Sequence, residues 1–297
     1  MKLERVVIGE DFSDPALAAT RWAARHFALD AELFLVHVIE PARPPSYLKD
    51  ELAPSPAVVE DARREAEQRL RRLADELGPG RVRCDIREGR PERVIIEVAV
   101  QVRADLIVVG EYGHHGRRAD VLGTTADWLT RASPVPVLLS RRLRPSHPRR
   151  ILLAVEESPL LDELLDWGRF CAQRFGAEVF AVYVLDADLL DRFRRVASDR
   201  PGAELEREVA DAGAAWLRRM LGKAGFAEGD VRVEVTIGDP VRQILDAIWR
   251  FEAELAIVAG RGAGWVGDAV IGSVARSVLR AAPCPVLVVN RSGTMSA

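Results

Sequence analysis

The feature that most constrains this chain is that it is written twice. EGRPERVIIEVAVQVRADLIVVG (88–110) returns as IGDPVRQILDAIWRFEAELAIVA (237–259), and RASPVPVLLSR (131–141) as RAAPCPVLVVN (280–290). AELFLVHVIEP (31–41) returns as AEVFAVYVLDA (177–187), and RVVIGEDFS (5–13) as RILLAVEES (150–158). Pro91 and Pro240, Gly113 and Gly262, and Gly123 and Gly272 are each separated by 149 residues. Ala31 and Ala177 are separated by 146, and Ser13 and Ser158 by 145, so the second copy has gained about four residues before its third strand. A chain of 297 residues suits two domains of ordinary size. The repeat assigns them to residues 1–143 and 149–297, with the basic, proline-bearing RRLRPSHPRR (141–150) as the linker.

Each copy alternates strand-like and helix-like runs. VVIG precedes a helix near 15–28, LFLVHVI precedes proline-rich 41–56 and a helix near 57–77, and VRCDIRE precedes a helix from about 91 to 102. LIVVG then leads into a loop and a helix from about 124 to 132, and VPVLLS closes the copy. Runs of Val, Ile and Leu without polar alternation imply strands buried on both faces. Their alternation with helices implies parallel βαβ units and an open, doubly wound α/β sheet. At 57–77 the positions Ala62, Ala66, Leu70, Leu73 and Leu77 share one helical face that covers the sheet. Pro91 and Pro240 mark first helical turns, where the missing N–H has no partner to lose.

Composition narrows the function. The net charge of -3, with no long Lys/Arg block, gives no expectation of nucleic acid or of an anionic membrane as partner. No apolar stretch approaches the length of a membrane span, and MKLERVVIGED does not read as a signal peptide, so a cytoplasmic location is expected. Cys84, Cys171 and Cys284 lie far apart, as reduced thiols do. The only lysines are Lys2, Lys49 and Lys223, so an anion at a glycine loop would be held by backbone amides, hydroxyls or arginine rather than by lysine.

The chemistry concentrates in IVVGEYGHHGRRADVLGTT (107–125), where glycines stand at both ends of a polar loop. Ligands of open parallel sheets bind beyond the carboxyl ends of the strands. Gly110 ends such a strand, and its bare Cα allows close approach of a sugar or phosphate. Gly113 permits the turn, and Gly123-Thr124-Thr125 opens a helix whose N–H groups favour an anion. Asp11, just past the first strand, suits a ribose hydroxyl or a base amino group, and Val38 suits the flat base. Each feature has a bland reading too: such loops are often tight turns, and a carboxylate ending a strand is often a turn residue or cap. His114, His115, Arg117 and Arg118 lie in the same loop, as phosphate neighbours or as solvated surface. His37 and Tyr183 occupy matching strand positions and read as packing residues.

Together these residues resemble the universal stress proteins in their tandem two-domain form. The family's nucleotide motif, G-x2-G-x9-G-(S/T), is complete as Gly110, Gly113, Gly123 and Thr124. The resemblance also runs through Asp11 and Ser13, His37 and Val38, and Glu88, Gly89 and Pro91. It implies two Rossmann-like domains, each a five-stranded parallel sheet of order 3-2-1-4-5 with helices on both faces. It implies ATP, accompanied by Mg2+ or Mn2+, at Asp11, Val38, Gly110, Gly113, His114, Gly123, Thr124 and Thr125. It also implies a stress-response regulator or sensor with at most slow hydrolysis, a homodimer through the last strands, and an unidentified protein partner.

In the second copy the motif reads Ala259, Gly262, Gly272 and Ser273, and Glu156 replaces the strand-one Asp. With Val184 and Val274 these form a weaker second site, because the added carbons shrink the pocket. Two other readings stand beside the regulator: a scaffold that no longer uses nucleotide, and a genuine ATPase. No SGGxDS-type or HIGH-type signature supports the second of these, and no catalytic or metal-ligating residue is assigned.

Overall fold

The computed structural model describes residues 1–40, 55–78, 80–113, 122–144, 146–196, 202–260 and 272–290. In the first copy the order is β1 (Arg5–Gly9), α1 (Asp14–Trp22), β2 (Glu32–Ile39), α2 (Pro56–Leu77), β3 (Val82–Glu88), α3 (Pro91–Gln101), β4 (Leu106–Gly110), α4 (Thr124–Ala132) and β5 (Val137–Ser140). The second runs β6 (Arg150–Val155), α5 (Leu161–Phe175), β7 (Glu178–Asp186), α6 (Ala187–Val196), α7 (Gly202–Lys223), β8 (Val231–Gly238), α8 (Pro240–Arg250), β9 (Leu255–Ala259), α9 (Ser273–Ala281) and β10 (Val286–Val289).

Strand β1 pairs in parallel with β2 and β4, and β2 with β3. The repeat follows the same plan: β6 pairs in parallel with β7 and β9, β7 with β8, and β9 with β10. The strands of the first copy therefore lie in the order β3-β2-β1-β4-β5, and those of the second in the order β8-β7-β6-β9-β10. Central strands carry the uninterrupted apolar runs: Val6, Val7, Ile8, Leu106, Ile107 and Val108 are fully buried, as are Ile151, Leu152, Leu153, Leu255, Ala256 and Ile257. The outermost strands β3 and β8 are half-exposed, which is why VRCDIRE and VRVEVTIG carry charges.

The helices begin and end as their caps dictate. Ser13 and Ser55 accept from the backbone N–H of Ala16 and Val58, and Asp239 from that of Arg242. Pro91 and Pro240 open α3 and α8. The helix expected near 15–28 is regular only to Trp22 and continues as one π turn, Ala23–Phe27, in which Ala28 N–H reaches Ala23 O. On α2 the buried stripe is Ala66, Leu70 and Leu73, whereas Ala62 is exposed, so the covering face starts one turn later than its spacing suggests. The proline-rich stretch before α2 falls outside the described residues except for Ser55 and Pro56.

Two compact units result. One comprises residues 3–129 and 133–137, and the other residues 138–297 with 1–2 and 130–132. The end of β5 thus belongs to the second unit, where buried Arg141 donates to the carbonyl oxygens of Arg280 (2.8 Å) and Ala282 (3.1 Å). On either side of Pro145, which lies outside the described residues, the Glu254 carboxylate accepts from the Arg144 guanidinium and the Arg149 N–H, both at 2.6 Å.

Candidate functional site

At the carboxyl ends of β1, β2 and β4 the first unit opens into a cavity of about 350 Å³. Its shape follows from three backbone turns. The first links β1 to α1. Glu10 N–H pairs with Val36 O at 2.9 Å, which anchors the turn to β2. Phe12 then takes the left-handed conformation, with φ of 62°, a costly choice for an aromatic residue. Two carboxylates hold it there: Glu10 Oε1 accepts from Phe12 N–H at 2.7 Å, and Asp11 Oδ1 from Ser13 N–H at 3.0 Å. Arg69 lies over the Phe12 ring, 4.1 Å from its centre, and the His37 ring packs on Phe12 with centres 4.7 Å apart.

The second turn follows β4. A Cβ on Gly113 would collide with Asp11 Oδ2, so this glycine lets the loop close over the Asp11 carboxylate. The third precedes α4. Gly123 N–H donates to Glu111 O at 2.8 Å, and a Cβ there would lie 3.2 Å from both Glu111 O and Tyr112 Cα. As N-cap, Gly123 offers no side-chain acceptor, so the start of α4 faces the cavity without the hydroxyl or carboxylate that caps α1 or α8.

Asp11, Val38, Gly110, Gly113, Gly123, Thr124 and Thr125 all line this cavity. His114, with His115, Arg117 and Arg118, lies outside the described residues. Gly110 also has a local packing reason: the space of its missing Cβ is taken by α1, whose Ala16 N and Pro15 C would stand 3.0 and 3.1 Å from it. Pro91, expected only to punctuate α3, also lines the cavity, as do Ile95, Tyr112 and Glu10. Ile95 and Tyr112 carried no sequence signal: one belongs to an ordinary apolar helix face and the other to a loop.

Glu10 is 3% exposed and accepts a 2.6 Å hydrogen bond from the Thr20 hydroxyl. Burial pushes its carboxyl up to about 7, against the lowering effect of Thr20 and of the Phe12 N–H. His37, beyond its packing on Phe12, places Nδ1 2.8 Å from Glu10 O. Tyr183 packs on Trp216, with ring centres 5.2 Å apart.

The second unit repeats the third turn. Gly272, again an N-cap without a side-chain acceptor, donates to Gly260 O at 2.7 Å. Ser273 and Val274 open α9, Ala259 ends β9 and is buried, and Val184 lies late in β7. Gly262 lies outside the described residues. The space of a Cβ on Gly260 is filled by the Asn290 carboxamide. Glu156 follows β6, and burial raises its carboxyl to about 7, while Oε1 is buried without a hydrogen-bond partner. Among the described residues, no helix is long and apolar enough to cross a membrane, and no three His, Cys, Asp or Glu side chains are grouped to hold a metal ion.

Comparison with known proteins agrees with this architecture. The pattern of the universal stress protein family matches residues 2–141 and again residues 147–290. A universal stress protein of Mycolicibacterium smegmatis is 29% identical over 301 residues, covering 96% of each chain. Universal stress protein Rv2319c of Mycobacterium tuberculosis is 32% identical over 240 residues, covering 76% of this chain and 77% of its own. The crystal structure of a universal stress protein from Archaeoglobus fulgidus has a TM-score of 0.70 at 20% identity, covering 98% of this chain and all of that one, a likeness of fold. The chain belongs to the universal stress protein family and carries the family domain twice.

Proposed function

We propose that the first unit binds ATP and that the protein acts as a stress-response regulator or sensor rather than as a fast enzyme. One observation carries this reading: the cavity that gathers Asp11, Val38, Gly110 and Gly113 also receives the start of α4, which has no side-chain cap. An anion there would meet backbone N–H groups and the positive end of the helix, with the Thr124 and Thr125 hydroxyls beside it. The nucleoside would lie toward Asp11 and Val38, with the carboxylate on ribose hydroxyls or the base amino group. A volume of about 350 Å³ falls in the range of small-molecule sites.

A divalent cation, Mg2+ or Mn2+, would neutralise phosphate charge in this site. It would arrive with the phosphates, as Mg2+ commonly does at phosphate sites. Asp11 is turned to the Ser13 N–H and lies over Gly113, an arrangement for holding a ligand rather than for activating a water. Slow hydrolysis is the most this site would support. The family resemblance further implies a cytoplasmic protein that associates through its last strands, which light scattering on the purified chain would read.

Titration calorimetry of the full chain with Mg-ATP tests the reading. Saturable binding, competed by ADP and by a non-hydrolysable analogue, is the expected result. Absence of any binding heat or competition, with the protein folded, would move the assignment to a nucleotide-independent scaffold.

A further inference from the structure

Glu10 is a carboxylate where an anion-binding cavity has no evident use for one. It lines the same cavity as the start of α4, yet it is 3% exposed. Both carboxylate oxygens already accept hydrogen bonds, from Phe12 N–H and from the Thr20 hydroxyl. Through the first it holds Phe12 in its left-handed conformation, and so sets where Asp11 and Ser13 stand. Through the second it ties that turn to the second turn of α1. Its backbone is pinned as well, with N–H on Val36 O and its carbonyl at His37 Nδ1.

The charges that face it are few. Asp11, next in the turn, opposes its ionisation, and Arg21 on α1 favours it. From β2 His37 reaches only its carbonyl, and from α2 Arg69 sits over the Phe12 ring. Burial dominates, and its carboxyl titrates at about 7. A polyphosphate entering a cavity that Glu10 and Asp11 both line adds like charge in a poorly screened place.

We propose that Glu10 is the proton-linked positioning residue of this site: it holds the β1–α1 turn that presents Asp11, and it takes up a proton from solvent when a nucleotide polyanion enters. Nucleotide affinity therefore falls as pH rises through neutrality. One proton limits the effect to about tenfold per pH unit, and roughly threefold to tenfold weaker binding at pH 8 than at pH 6 is expected. The proposal rests on the nucleotide reading above.

The test is calorimetry of the full chain with Mg-ATP at pH 7 in two buffers of different ionisation enthalpy, which counts protons taken up per nucleotide. The wild type is expected to take up a fraction of a proton that is missing in Glu10→Gln, whose affinity changes less between pH 6 and pH 8 than the wild type's by that same fraction. Protons from the nucleotide or from His37 are common to both proteins and cancel in the difference. Thr20→Val is the second variant. It removes the hydroxyl that lowers the Glu10 carboxyl, so the pH of greatest uptake moves upward. Equal uptake in wild type and Glu10→Gln, or an unmoved maximum in Thr20→Val, overturns the proposal while leaving nucleotide binding intact. No binding in the wild type at any pH removes the nucleotide reading itself, and this inference with it.

Discussion

At the scale of single residues, the two carboxylates nearest the strand ends are governed by burial more than by partners. Glu10 and Glu156 both titrate at about 7, and in each case desolvation is the largest cause. Glu156 is the less well satisfied of the two, because its buried Oε1 has no hydrogen-bond partner. Its folded-state value is raised above the unfolded one, so between about 4.5 and 7 the folded chain holds more protons than the unfolded chain. Stability is therefore highest on the acid side of this window and declines as pH rises through it. The share belonging to Glu156 is on the order of 3 kcal/mol at most. Glu156→Gln should lose less stability than wild type between pH 5 and pH 8 in urea titrations. Parallel losses in the two proteins would show that this carboxyl ionises as freely in the folded chain as in the unfolded one.

At the scale of elements, the position of a helix start decides which residue a strand end can carry. Helix α1 begins one residue after Ser13, and its Pro15–Ala16 backbone takes the room of a Cβ on Gly110. Helix α5 begins three residues after Ser158, the counterpart of Ser13, and Ala259 stands where Gly110 does. The later helix start offers a local packing account of the alanine. Gly110→Ala should destabilise the chain in the absence of nucleotide, by about 1–3 kcal/mol as for other overpacked sites. Ala259→Gly should cost about 1 kcal/mol or less. Chemical denaturation without ligand measures both. If Gly110→Ala were neutral to stability and weakened only nucleotide binding, the helix-start explanation would fail.

At the scale of the whole molecule, the duplication has kept the frame and let the two sites diverge. Both units close the loop before the helix that follows their fourth strand with the same bond, Gly123 N–H to Glu111 O and Gly272 N–H to Gly260 O. Around that shared bond the chemistry differs. The first unit has the Asp11 carboxylate over Gly113, and the second has Glu156 beside the strand end and the Asn290 carboxamide against Gly260. We expect one tight nucleotide per chain, held by the first unit. Equilibrium dialysis against labelled Mg-ATP reads the stoichiometry, and two equal tight sites per chain would contradict it.

Sequence alone was enough for the repeat, the α/β class, the places of nearly all the helices and the family, because each rests on signals that survive in one dimension. Apolar runs without alternation mark strands buried on both faces, and glycines or prolines at element ends mark turns. The same signals brought Asp11, Val38, Gly110, Gly113, Gly123, Thr124 and Thr125 into one list, and they line one cavity. What sequence could not reach depends on which groups become neighbours across the fold. The reason for Gly110 is a helix start nearly a hundred residues earlier in the chain. Glu10 reads from sequence only as a candidate base beside Asp11; that Thr20 and the strained Phe12 hang on it is visible only in the fold. Arg141, which reads as the first residue of a basic linker, is buried against the carbonyls of Arg280 and Ala282. Burial, close approach and hydrogen bonding between distant residues are properties of the packed chain, and only the tertiary structure decides them.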